Sequence, residues 1–419
     1  MRRIFIIAGA VVIVIGIGAA AYFLFFSSTP SLTTGENESS GLFGDPGQAG
    51  TSDSGQNQPG TGSSENTGTA GESTGIEIAP RLIRITEGPV AYGLAVLSTT
   101  TISTTATASS TKPVLIPDTE IRFIDRTSGN MYAYRASTRT LSRLSNKTIP
   151  GVQEVAWLPS GEMAYLRFLS SDPDGSRHKE TYALPADGES GRALARDMAD
   201  VRATPSGGLL SLASGTNGST ATLSKADGSG TRTLFSSTLG KLFVFATKES
   251  YFAATPSSTH LGGYSFSVNA STGVFTRILG PLRGLSILPN RAGTKILFSY
   301  FDGAGMRLAG YDIAEREIIP LPVATLAEKC AWASDDASAY CGIPTAFSAN
   351  LPDDWHQGAI AFTDRLWKID FADRVAVLIA NLPALFETPI DTVSLTLDKD
   401  DEVLLFINRR DGSLWFYDL

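Results

Sequence analysis

Residues 404–417 read L-L-F-I-N-R-R-D-G-S-L-W-F-Y, and residues 121–134 read I-R-F-I-D-R-T-S-G-N-M-Y-A-Y. Phe406 answers Phe123, Gly412 answers Gly129 and Trp415 answers Tyr132. A unit that recurs near both ends of a β-rich chain makes a closed ring of similar units the first architecture to expect.

The intervening sequence carries the same signature. From residue 76 onward, short runs of Val, Ile, Leu, Phe, Tyr and Thr alternate with Gly, Asp, Asn, Ser and Pro, and long stretches of helical period are almost absent. The clearest run is 155–165, V-A-W-L-P-S-G-E-M-A-Y, in which Pro159 presets φ and Gly161 accepts a positive one, as a tight hairpin requires. Weaker copies occupy 201–210, 285–297, 330–341 and 393–405. With these as the first two strands of four-stranded units, first strands fall near Val90, Val152, Met198, Lys241, Arg283, Lys329 and Asp391. That spacing suits the blades of a propeller, with insertions in the first and sixth units. One insertion is the Ser/Thr-rich stretch 98–113, read as a loop; the other is 344–362. The seventh unit runs out of chain before its fourth strand, while residues 81–86, R-L-I-R-I-T, stand alone before the first unit. Pairing the two satisfies both open edges. The expected fold is an all-β, seven-bladed β-propeller over residues 76–419, its last blade closed by the N-terminal strand.

The segment Trp157, Pro159, Gly161 resembles the W-x-P-x-G repeat of the TolB-like, or WD40-like, β-propellers found outside the bacterial cytoplasm. The resemblance spans about residues 76–419 at the level of the repeat. The layout is also similar to that of bacterial proteins with one N-terminal membrane helix followed by such a propeller. It implies an extracytoplasmic scaffold and supplies no catalytic residue.

The N-terminal part has a different composition. Arg2 and Arg3 precede an uncharged apolar run over residues 4–26, which as a helix spans about 34 Å and crosses a bilayer core. The run is too long for a typical signal peptide, and Tyr22-Phe23-Leu24-Phe25-Phe26 follows Ala19-Ala20-Ala21, so an uncleaved anchor is expected. No Lys or Arg follows until Arg81, which places the N-terminus in the cytoplasm and the rest outside, in a bacterial cell membrane. Residues 27–75 hold 11 Gly, 10 Ser and 8 Thr with six acids and no base. Such a segment cannot bury a core and reads as a disordered linker.

Residues 76–419 carry 32 basic and 36 acidic side chains, so nucleic acid, which needs clustered positive charge, is not an expected partner. Cys330 and Cys341 flank a hairpin centred between Asp335 and Asp336 and would face one another, within reach of a disulfide in an oxidising compartment; the alternative is two small buried thiols. His178 and His260 read as surface loop residues, and no histidine or cysteine spacing points to a metal or other cofactor. Asp172-Pro-Asp174-Gly175 lacks the later ligands of a calcium loop and reads as a turn. Neither a nucleophile elbow, a P-loop nor an H-E-x-x-H motif occurs.

Asp353, Asp354, Trp355, His356 and Gln357 form the expected binding cluster, because Trp355 is a large apolar residue in a polar insertion. In a four-stranded meander this insertion lies on the face opposite the Ser/Thr stretch and the entry of the tether. The leading functional reading is therefore a membrane-anchored scaffold that engages a protein or envelope polymer through residues 353–357. The alternative is an enzyme or small-ligand binder using the mouth of the central channel, which convergent carboxylates or arginines there would favour.

Overall fold

The computed structural model describes residues 81–103, 114–196 and 198–419. They form seven four-stranded antiparallel sheets arranged as a seven-bladed β-propeller. The innermost strands are Ala95–Ser103, Glu154–Trp157, Met198–Ala203, Phe243–Ala246, Ser286–Pro289, Cys330–Trp332 and Thr392–Leu397. The membrane helix expected over residues 4–26 and the linker over 27–75 lie outside the described residues. Among the described residues no helix is long and apolar enough to cross a membrane.

The first six blades are simple meanders, and the seventh has the order Leu82–Arg84, Leu414–Asp418, Val403–Asn408, Thr392–Leu397. Leu82 pairs with Tyr417, Ile83 with Phe416 and Arg84 with Trp415. The backbone N–H of Asp418 donates to the Arg81 carbonyl at 2.7 Å, and that of Ile85 donates to the Leu414 carbonyl at 2.8 Å. Closure by this strand leaves neither terminal edge of the ring unpaired.

Alternation along a strand explains how blades adhere. All six residues of Val403–Asn408 are buried. Leu404 and Phe406 pack with Tyr340 and Leu366 of blade six, whereas Leu405 and Ile407 pack with Ile121 and Phe123 of blade one. A strand with period two thus contributes apolar faces to both neighbours, each fully buried side chain stabilising the ring by about 1.5–3 kcal/mol. The two sequence copies are structurally equivalent. Phe123 pairs with Tyr132 and Phe406 with Trp415, each as a stacked pair, and Gly129 and Gly412 occupy the intervening turns at φ 73° and 74°. Two tryptophans clasp adjacent blades: Trp157 Nε1 donates to the Gly93 carbonyl at 3.2 Å, and Trp332 Nε1 to the Leu288 carbonyl at 2.9 Å.

The structure alters the first blade. Its innermost strand begins at Ala95, not near Val90, because Tyr92 crosses to blade two and forms a parallel bridge with Glu154. Val155 N–H donates to the Tyr92 carbonyl at 2.6 Å, and Gly93, at φ 109°, lies so close that a Cβ would sit 1.9 Å from the Val155 oxygen. Nor is the Ser/Thr stretch simply a loop. The strands continue to Ser103 and resume at Val114 in register, as β-branched threonines favour. His178 is on the strand Arg177–Pro185, between Asp172 and Glu180, not in a loop, while His260 is exposed. Residues 172–176 make a turn, with Gly175 N–H donating to the Asp172 carbonyl at 2.9 Å.

Candidate functional site

The inner strands surround a central channel, one end of which holds a cavity of about 740 Å³. Charged side chains reach it from several blades: Glu154 and Arg167 from the second, Asp200 and Arg202 from the third, Arg291 from the fifth, Glu328 before the sixth and Arg409 from the seventh. Each acid already has partners. Glu154 is ion-paired with Arg167, whose guanidinium also donates to the carbonyls of Met198 and Ala199 at 2.9 and 2.8 Å, tying blade two to blade three. Asp200 accepts from the backbone N–H groups of Val201 and Val244 and pairs with Arg202 Nε, tying blade three to blade four. Glu328 Oε1 meets His356 Nε2 at 2.6 Å.

The arginines are less fully committed. Among the described residues Arg202 engages only through Nε, leaving both terminal nitrogens without a partner, and the Arg291 guanidinium has neither a hydrogen bond nor an ion pair. Arg409 lies over the Trp355 ring, 4.5 Å from its centroid, and donates to the carbonyls of Trp355 and Ile360. This end of the channel is lined by four arginines against three acids, with the spare donor capacity on the cationic side.

One end of the channel is built by the insertion 345–363, between the second and third strands of blade six. Its short helix α1, Asp353–His356, does not present Trp355 to a partner: the side chain is only 5 % exposed. It lies with Leu351 and Phe362 in the core shared by blades seven and one. The direction follows from what awaits inside. Trp355 Nε1 donates to Asp391 Oδ2 at 2.9 Å, and burying the indole recovers a large apolar area only when that N–H is satisfied. The remaining members of the expected cluster separate. Asp353 receives a hydrogen bond from Ser258 of blade four and Asp354 one from Ser348, while His356 turns to Glu328; Gln357 is exposed. These residues fasten the insertion across the channel rim instead of forming a common outward patch. For His356, burial pulls the imidazole down, but the hydrogen bond and charge of Glu328, with Asp353, outweigh it and the net direction is up.

Beneath Trp355 lies a group that sequence reasoning missed. Lys329 is fully buried, its Nζ 2.8 Å from Asp364 Oδ2 and 2.5 Å from Asp391 Oδ1, with the rings of Trp355 and Phe362 each 5.2 Å away. Burial pushes the Asp364 carboxyl above the ordinary range; the Lys329 charge opposes this and that of Asp391 adds to it. Cys330, the next residue, is joined to its register partner Cys341 by a disulfide with an S–S distance of 2.13 Å. Lys329 and Asp391 occupy the same place in successive blades, immediately before the inner strand, which is the one sequence regularity connecting them.

No family model and no curated protein matches the chain. Among solved structures, it is similar to the β-propeller domain of the trilobed protease from Pyrococcus furiosus, with 9 % identity over 72 % of this chain and 90 % of that one and a TM-score of 0.48. An oligogalacturonate lyase in complex with manganese gives 10 % identity, 78 and 98 % coverage and a TM-score of 0.49. TolB from Acinetobacter baumannii gives 11 % identity, 77 and 80 % coverage and a TM-score of 0.41.

Proposed function

We propose that this chain is a membrane-anchored, extracytoplasmic binding propeller of a bacterial envelope, and that its central channel holds an anionic ligand such as a short segment of an envelope polymer. The observation that carries this reading is the charge arrangement of the channel: its acids are engaged by the protein, while Arg202 and Arg291 retain unused donors. A volume of about 740 Å³ is in the range of ligand sites. The inward-turned Trp355 moves the expected binding locus from the cluster 353–357 to the channel that this cluster borders. The anchor reading rests on the uncharged run 4–26 behind Arg2 and Arg3.

Trp157 and Trp355 both line the channel, so intrinsic fluorescence reports its occupation. Titration with a short polyuronate should change the emission, and the double variant Arg202→Ala, Arg291→Ala should weaken binding tenfold or more, given about 1.5–3 kcal/mol per charged hydrogen bond. An equal response from the double variant, or from a neutral oligosaccharide of the same length, would refute the assignment.

A further inference from the structure

We propose that Lys329 and Asp391 react with one another to form an intramolecular isopeptide bond that bolts blade six to blade seven. The amine and the carboxyl group are already in contact, Nζ to Oδ1 at 2.5 Å, and both side chains are entirely buried. Their nearest surroundings are a second buried carboxyl group, Asp364, the Thr392 carbonyl, which accepts from Nζ at 2.9 Å, and two aromatic rings. In such a site two ions have lost their hydration, whereas an amide is neutral, so condensation removes two buried charges at once. Fixed contact supplies the effective concentration that a bimolecular condensation in water lacks.

The arrangement also provides the groups that the reaction needs. Asp391 Oδ2 accepts two hydrogen bonds, from Trp355 Nε1 and from the backbone N–H of Phe362, both at 2.9 Å. These donors stand where negative charge develops when nitrogen attacks Cγ, which is the logic of an oxyanion hole. Asp364 Oδ2 is held by Thr392 N–H and Oγ1 at 2.7 and 2.8 Å, while its Oδ1 is buried without a partner. Burial raises the Asp364 pKa, against the Lys329 charge and with that of Asp391, which suits a carboxyl group that must hold a proton and return it.

The sequence of events balances without any further reactant. The Lys329 ammonium gives a proton to Asp391 Oδ1, and the freed nitrogen lone pair attacks Cγ, forming the C–N bond and pushing the carbonyl electrons onto Oδ2. Asp364 takes one proton from the nitrogen and gives its own to Oδ1. The C–Oδ1 bond then breaks, water leaves and the carbonyl re-forms. Ammonium and carboxylate become amide and water, and Asp364 ends as it began. Lys329 and Asp391 are 62 residues apart, each immediately before an inner strand, so the bond would join the two blades beside the Cys330–Cys341 disulfide.

Mass spectrometry of the purified full chain after reduction tests this. The wild type should be lighter than its sequence by one water, and its digest should contain a branched peptide uniting the Lys329 and Asp391 segments. Asp391→Ala should restore the full mass, and Asp364→Asn should restore it or slow the loss during refolding. A reduced wild type of full mass, with an ordinary tryptic cut after Lys329, would overturn the proposal and leave a buried ion pair. A branch at Asp364 instead would overturn the assignment of electrophile and relay. Both readouts on the wild type decide the matter even if the variants fail to fold.

Discussion

Truncating Trp355 separates two opposite expectations for the insertion. A tryptophan displayed for a partner can be removed with a stability change within about 0.5 kcal/mol. Here the side chain is 5 % exposed, packs on Phe362, lies under the Arg409 guanidinium and donates to Asp391. Trp→Ala at a buried site costs about 3–5 kcal/mol, and withdrawing one of the three donors to the buried Asp391 carboxyl group adds about 1–3 kcal/mol, partly overlapping with the first. Trp355→Ala should therefore lose about 4–6 kcal/mol, equivalent to roughly 6–10 °C in Tm for a domain of this size. Trp355→Phe keeps an aromatic ring but loses the donor and part of the buried volume, and should cost at least about 1–3 kcal/mol for the lost hydrogen bond, yet less than Trp355→Ala. Exposed Gln357→Ala serves as the control. Thermal unfolding followed by circular dichroism reads all three. If Trp355→Ala melts with the wild type, Trp355 is not the keystone described above, and the outward-facing reading of the insertion is restored.

Two further outcomes follow from closure and from the channel rim. Deleting residues 81–86 should lower stability by roughly 3 kcal/mol or more, since interstrand bonds at 2.7, 2.8 and 3.0 Å are lost at about 1 kcal/mol each, whereas removing residues 27–75 should leave Tm unchanged; melting curves of both deletions decide it. His356 is raised in the folded protein, so its pairing with Glu328 contributes stability that is complete below the ordinary imidazole pKa of about 6.5 and fades as pH rises through the higher folded value. Glu328→Gln should flatten that part of the Tm–pH profile, and an unchanged slope would show that the pair does not supply it.

The propeller was legible because its determinants are local and repeated. Apolar alternation, a Pro-Ser-Gly turn at 159–161 and six of the seven inner strands, each starting within three residues of its expected place, all follow from period and turn chemistry. Blade one departed because Tyr92 pairs with Glu154 of the next blade, a contact that no local pattern around Val90 announces. The site was harder to read for the same reason. Asp353, Asp354, Trp355 and His356 are adjacent in sequence and look like a single patch, yet a helix turn aims them at Ser258, Ser348, Asp391 and Glu328. Lys329, Asp364 and Asp391 meet only because the segments leading into the inner strands of blades six and seven converge on the start of Asp364–Asp370, and each alone resembles an ordinary surface charge.

The pairing of Arg81 with Asp418, 337 residues apart, also sets an order of assembly. The strand Leu82–Arg84 is the first of the ring to be synthesised and its partner Leu414–Asp418 the last. Blades one to six can each form their four strands from contiguous chain as it emerges, but blade seven cannot be completed until synthesis of the ring is finished. Until then residues 82–84 must remain unpaired, and premature capture of that strand by another open edge is the characteristic misfolding hazard of this topology. The last contact that the order of synthesis allows is thus also the one that turns a row of blades into a ring.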